Sequence, residues 1–182
     1  IPPSLARFLG RVGAIFNPQK AIDPCCEDTS AIEALSDVPQ RYAFFRNPAA
    51  FKDASRLSPS VRVELRDILR DAVHDLFDMV VAVVPFGLRE QVGGRPRRLD
   101  EVIAERCLDL LAPNGVCLLI VPPNFLTAPL FLSFRVRVLQ DMSLDAVIEL
   151  SPRSLWEQSA VGAALLVIRR GPARKAGTYI AT

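Results

Sequence analysis

The chain has 182 residues, half of them hydrophobic, with 22 basic side chains against 20 acidic and a formal net charge of +2. That is one domain's length with ample apolar material for a core, so disorder is excluded. A balance so near neutral demands neither nucleic acid nor an acidic membrane as partner, although 19 of the 22 basic residues are arginine, the better bidentate ligand for phosphate.

In chain order, Pro2, Pro3 and Ser4 open a helix to about Val12, with Leu5, Phe8, Leu9 and Val12 on one face. Lys20 to Asp23 reads as a strand ending at Pro24, Thr29 to Leu35 as a short helix capped by Asp28 or Thr29, and Arg41 to Arg46 as a second strand. Asn47 to Pro59 reads as irregular. Ser60 to about His74 fits an amphipathic helix, with Val61, Leu65, Ile68 and Leu69 inward. Phe77 to Val83 is a continuous apolar run, as buried parallel strands show. Gly87 to Arg98 reads as a loop carrying Gly93-Gly94 and four arginines. Leu99 to Leu111 is a helix stopped by Pro113-Asn-Gly115, and Val116 to Val121 is another buried strand. Asn124 caps a helix to about Met142. Leu144 to Leu150 and Ala163 to Ile168 are two further strands, free to pair antiparallel at one edge.

This alternation predicts an α/β fold, a mostly parallel doubly wound sheet with an antiparallel edge strand, built as one domain over residues 1–182. The chain starts abruptly on a helix and is read as a piece of a longer protein. No leader pattern is read, and no apolar run of about 18 residues; the richest stretch, Val116 to Phe134, is broken by three prolines and Asn124. A soluble cytoplasmic protein without a membrane partner is expected.

Cys25, Cys26, Cys107 and Cys117 have no zinc spacing, and Cys107 and Cys117 fall in helix and strand patterns as small core residues. His74 is the sole histidine and has Asp71, Asp75 and Asp78 nearby; it reads as a solvated helix end, and no metal is expected. Trp156, in the turn from Ser154 to Ser159, reads as a packing anchor.

In open α/β sheets ligands bind beyond the carboxyl ends of the strands. The exits are Asp23-Pro24-Cys25-Cys26, Val83-Val84-Pro85-Phe86-Gly87 and Pro122-Pro123-Asn124-Phe125. Here the chain resembles the catalytic domain of the adenine-N6 DNA methyltransferases, especially the modification subunit of type I restriction systems. Pro2 to Phe8 is similar to the family's entry motif, and Ile22 to Ser30 aligns with its cofactor motif, D-P-A-C-G-S-G. Phe77 to Gly87 lies where the family has F-D-x-[VI]-[VL]-A-N-P-P-F-G. Leu110 to Leu126 is similar to its L-L-K-P-G-G…V-P-x-x-F-L segment, and Leu144–Leu150 and Ala160–Arg169 to its last two strands. The likeness spans nearly the whole chain in order and implies a Rossmann-like S-adenosylmethionine-dependent methyltransferase fold.

It also implies sites. Asp23, Pro24, Cys25, Cys26, Glu27 and Asp28 stand at the cofactor loop, and Val83, Val84, Pro85 and Phe86 at the N-P-P-F that accepts and stacks a flipped adenine. The departures fall on the chemistry. Glu27 and Thr29 replace the loop's glycines, and no glycine occurs between Gly13 and Gly87. Where the family's second strand ends in a ribose-binding acid, this one ends Phe45-Arg46-Asn47. Val83 replaces the acceptor Asn and Val84 the first Pro, and losing one such group costs about 10²–10³ in rate.

The reading is therefore a degenerate adenine-N6 methyltransferase-like domain, with S-adenosylmethionine as cofactor if any, retained for duplex DNA binding or for assembly with restriction-modification-type subunits or further domains of the same chain. Arg89, Arg95, Arg97 and Arg98 are the candidate phosphate contacts, with Arg169, Arg170, Arg174 and Lys175 a second basic cluster. Two alternatives stay open: an active but divergent enzyme, and a scaffold binding neither cofactor nor DNA.

Overall fold

A computed structural model describes residues 1–153, 155, 161–172 and 177–181. Its centre is an eight-stranded sheet in the order β10-β8-β9-β7-β4-β1-β2-β3. The strands are β1 (Lys20–Asp23), β2 (Gln40–Phe45), β3 (Arg62–Leu65), β4 (Phe77–Val83), β7 (Leu111–Val121), β8 (Met142–Leu150), β9 (Ala163–Arg170) and β10 (Tyr179–Ala181). All neighbours pair parallel except at β9, which runs antiparallel to both β7 and β8. The expected pairing of the last two long strands is therefore present, but the antiparallel strand lies inside the sheet and not on its rim.

Alternation along the central strands sends side chains into two cores. Ile22, Val80, Ala82, Cys117 and Leu119 face one side, beneath α4 (Leu99–Asp109) and α5 (Leu132–Asp141). Ala21, Met79, Val81, Leu118 and Ile120 face the other, beneath α1 (Pro3–Ala14), α2 (Ser30–Glu33) and α3 (Pro48–Leu57). Burial on both faces explains why Met79–Val83 of β4 and Val116–Val121 of β7 read as unbroken apolar runs, whereas α4 ends at Asp109 and Pro113-Asn114-Gly115, expected to stop that helix, lie inside β7. Gly10 lets α1 meet α2: a Cβ there would collide with the Ala34 carbonyl.

Four other segments differ from expectation. Asn47 to Pro59 is not irregular: α3 starts at Pro48, and the Asn47 side chain accepts from the amides of Ala49 and Ala50. Ser60 to His74 is not a helix. Val61 and Val63 turn inward two residues apart as β3 pairs with β2, and His74 lies in the exposed segment that follows. Gly87 to Arg98 is not a bare loop but a hairpin, β5 (Arg89–Val92) and β6 (Arg95–Arg98). Its turn, Gly93-Gly94, has φ of +60° and +77°, the paired positive values a two-residue hairpin turn needs. Asn124 does not cap one long helix: two 3-10 turns, Pro123–Phe125 and Pro129–Phe131, precede α5. Trp156, Arg174 and Lys175 lie outside the described residues.

Candidate functional site at the β1 and β4 exits

β1 has β2 on one side and β4 on the other, so the sheet's connections diverge at the β1–β4 boundary. A ligand crevice in an open α/β sheet forms there, beyond the strand ends. Two cavities occupy it, about 200 and 450 Å³, sharing Cys25, Glu27, Val83 and Pro85 as walls. The cofactor-loop and N-P-P-F positions read from the sequence thus converge on one place.

Asp23 closes β1 and is only 5 % exposed. Its Oδ1 accepts from the Cys25 amide at 3.1 Å. Burial pushes its carboxyl up to about 7, against the opposing pull of that amide bond. Cys26 anchors the loop, its amide donating to the Phe44 carbonyl at 2.9 Å and its thiol to the Asp28 carbonyl at 3.0 Å. Burial raises both thiols well above their ordinary range, so neither is a thiolate nucleophile. Asp28 accepts from the Ser30 amide at 2.9 Å, but the N-cap of α2 is Thr29, whose hydroxyl meets that of Ser58 at 2.7 Å, so neither side chain expected to cap the helix does so. No residue from Pro24 to Thr29 has positive φ. The loop therefore closes without glycine, and Cys25, Cys26, Glu27 and Asp28 bring side chains to the cavity walls.

At the other wall, Val83 is half-buried and Val84 fully buried. The Cys25 thiol reaches the Val83 carbonyl at 3.6 Å. The Val84 amide donates to the Ile120 carbonyl at 3.1 Å, continuing the β7 ladder where a proline would have no donor. Pro85 and Phe86 are half-buried, and Phe86 packs against both cores.

The four hairpin arginines divide. Arg98 is a structural cation: its Nε and Nη2 bond the fully buried Asp100 at 3.0 and 2.5 Å, and its guanidinium lies 5.2 Å from the Phe131 ring centre. Asp100 also accepts from the Gly87 amide at 3.3 Å and so fixes the turn after Phe86. Arg97 pairs with Glu105 at 3.3 Å. Arg89 and Arg95 are exposed and make no ion pair among the described residues. In the second basic cluster, Arg169 pairs with Asp145 at 3.0 Å and Arg170 donates to the Leu111 carbonyl, so both are engaged within the sheet.

Sequence reasoning missed Arg46 and its partners. Arg46, just past β2, bonds both oxygens of Glu90 on β5 at 2.8 and 2.7 Å, and its Nε reaches Asp67 at 3.1 Å. Arg70 adds a 3.2 Å bond to Glu90. The hydrogen bond from Arg46 holds the Glu90 carboxyl below its ordinary range. Glu90 was invisible as a partner because the hairpin read as a loop.

No family model matches the chain, and no curated protein matches it. Solved structures do. A protein of a type I restriction-modification complex superposes with a TM-score of 0.77 at 21 % identity, over 95 % of this chain and 42 % of its own. A type I modification subunit from Vibrio vulnificus gives 0.79 at 16 %, over 94 % and 44 %. A Listeria monocytogenes protein described as a class I S-adenosylmethionine-dependent methyltransferase gives 0.81 at 14 %, over 99 % and 64 %. The chain has the class I S-adenosylmethionine-dependent methyltransferase fold. Its structural neighbours include modification subunits of type I restriction-modification systems, and it spans 42–64 % of the length of these three structures.

S-adenosylmethionine presents a carboxylate, an ammonium and two ribose hydroxyls. Against these the crevice offers the carboxylates of Asp23, Glu27 and Asp28 along one cavity, and a guanidinium at the β2 exit where hydroxyls need an acceptor. These carboxylates suit the cofactor's ammonium and sulfonium and oppose its carboxylate, and the Arg46 guanidinium offers its ribose hydroxyls no acceptor. Among the described residues no three His, Cys, Asp or Glu side chains gather to hold a metal, and no helix is long and apolar enough to cross a membrane.

Proposed function

We propose that this chain is the methyltransferase-fold domain of a type I restriction-modification-type modification subunit, that it transfers no methyl group, and that it acts in the cytoplasm through macromolecular contact. Its partners are duplex DNA and the other subunits or domains of such an assembly. The observation that carries the reading is the β4 exit. Transfer to an adenine amino group needs polar acceptors there, and Val83 and Val84 supply two apolar side chains, one fully buried and the other half-buried. The guanidinium at the β2 exit, where ribose hydroxyls need an acceptor, supports it independently.

The test is calorimetric titration of S-adenosylmethionine, paired with adenine methylation of duplex DNA. Silence at millimolar ligand is expected. Micromolar, saturable binding together with methyl transfer would overturn the proposal in favour of an active, divergent enzyme. For the DNA contact, a mobility shift that falls steeply with salt is expected, because phosphate neutralisation releases counterions. No shift at low salt would leave a scaffold that binds neither.

A further inference from the structure

A groove of about 390 Å³ opens between α1 and the turn that follows α2. Pro18, which leads into β1, and Val38, which leads into β2, lie in its wall, so it sits at the opposite end of these strands from the crevice. Arg7, Gly10, Arg11 and Ala14 line it from α1, and their spacing of three and four residues puts them on one helix face. Gly10 makes the floor, since a Cβ there would lie 2.4 Å from the Ala34 carbonyl oxygen. Ala14 is exposed, and Ile15 beside it is 76 % exposed. Asp37 stands on the far lip. Both arginines are exposed, and neither guanidinium has an ion-pair or hydrogen-bond partner among the described residues. Arg11 lies in the last turn of α1, whose carbonyl end favours a cation, but Arg7, a turn earlier, has only a like charge beside it.

We propose, resting on the reading of the chain as one member of an assembly, that this groove docks an acidic helix of a partner subunit. Charge complementarity selects the occupant. Two carboxylates four residues apart on a helix are separated by a rise of about 6 Å, the same rise that separates Arg7 from Arg11, so each guanidinium meets one carboxylate. Between the arginines the groove presents only Gly10 and Ala14, and a partner helix comes close where it carries alanine or glycine. Asp37 repels a third carboxylate and takes a lysine, which fixes the face the partner presents. Asp37 and the carbonyl end of α1 also oppose a dense run of phosphates, which favours two spaced carboxylates over nucleic acid. The docked helix pairs both unpartnered arginines and covers Ile15, apolar surface now facing water. Arginine is a residue that protein interfaces enrich. The crevice lies at the other end of β1 and stays open.

The test is fluorescence anisotropy at physiological ionic strength with a labelled, alanine-rich helical peptide. It carries two glutamates one turn apart and a lysine on the opposite flank, and its control has both glutamates changed to glutamine. Both are titrated with the native chain and with Arg7→Gln, Arg11→Gln and Ala14→Tyr, each checked for an unchanged circular dichroism spectrum. The glutamate peptide is expected to bind the native chain at least tenfold more tightly than the glutamine peptide. Arg7→Gln and Arg11→Gln should each weaken the glutamate peptide at least threefold and leave the glutamine peptide unchanged. Ala14→Tyr keeps both charges but fills the groove, and should weaken the glutamate peptide at least tenfold. Equal affinity for the two peptides overturns the inference, as does tight binding that survives Ala14→Tyr, which would be charge pairing outside the groove. Displacement of the peptide by random duplex DNA or by inorganic phosphate also overturns it and makes the arginines a phosphate surface. Silence towards both peptides ends the inference, while the DNA mobility shift and the S-adenosylmethionine titration still decide the functional reading by themselves.

Discussion

Asp23 makes the pH dependence of stability a direct probe of the crevice. Its carboxyl titrates at about 7 in the folded chain against an ordinary 3.8, chiefly because burial penalises its charged form. The folded state therefore holds the proton more tightly than the unfolded state. Stability from this group is full below about pH 4, falls as pH rises toward 7, and is then flat, since the unfolded chain binds fewer protons throughout that window. A shift of roughly three pH units at about 1.4 kcal/mol each gives about 4 kcal/mol lost across it. Carboxylates held down by cationic partners, Glu90 by Arg46 and Asp75 by Lys20, slope the opposite way, so the bare pH profile is a sum. Asp23→Asn isolates the term: its amide oxygen still accepts from Cys25, and it carries no charge. Urea unfolding at pH 4.5 and 8.5 should show the variant gaining about 3–4 kcal/mol on the native chain between the two, and being the more stable at pH 8.5. Parallel profiles for the two proteins would refute the argument and mean that Asp23 is solvated in the folded state.

The hairpin arginines should separate by role. Arg98→Gln strands the buried Asp100 and should cost about 3 kcal/mol in a urea melt. Arg89→Gln and Arg95→Gln should each cost under about 0.5 kcal/mol, yet each should flatten the salt dependence of DNA binding by about one unit of log–log slope. Gly10→Ala pushes α1 off the Ala34 carbonyl and should cost about 1–3 kcal/mol, seen as a thermal midpoint several degrees lower. Asn47→Ala removes the cap of α3 and should cost about 1 kcal/mol.

What the sequence made legible followed from burial. β1, β4 and the Val116–Val121 part of β7 announced themselves because both faces of each are covered, and α4 because apolar residues recur along it, Leu99, Val102, Ile103, Cys107 and Leu108, all buried. The misreadings fell where tertiary pairing overrode a local pattern. Val61, Val63 and Leu65 fit a period of two as well as Val61, Leu65, Ile68 and Leu69 fit a helix, and pairing with β2 decided between them. Asn47-Pro48 was a readable start signal, a capping side chain followed by proline at the first helical position. β10 is three residues long and carries no pattern to read. At the site, the exits were located through a resemblance, and the structure brings Asp23, Cys25, Glu27, Val83 and Pro85 around one crevice. The Arg46–Glu90–Arg70 cluster could not be found from spacing, since its members come from three segments that only the hairpin's fold joins.

The β4 exit shows why such a fold persists without the polar groups its likeness would call for. Core packing is spread over two faces and dozens of side chains, whereas acceptors at a strand exit contribute nothing to it. Valine at position 84 buries a whole side chain, worth about 2 kcal/mol, and its amide adds a ladder bond worth about 1 kcal/mol. Val83, half-buried, adds contact with the opposite core. Apolar residues there stabilise the chain, so polar ones would persist only under selection for activity. The double substitution Val83→Asn, Val84→Pro reverses both gains and should lower stability by about 2–4 kcal/mol, because the proline also removes the donor to Ile120. It should restore no methylation, since the loop from Pro24 to Thr29 and the guanidinium at the β2 exit are unchanged. A double variant as stable as the native chain would show that the exit is not sealed into the sheet. One that methylates adenine would show that only the acceptors had been missing.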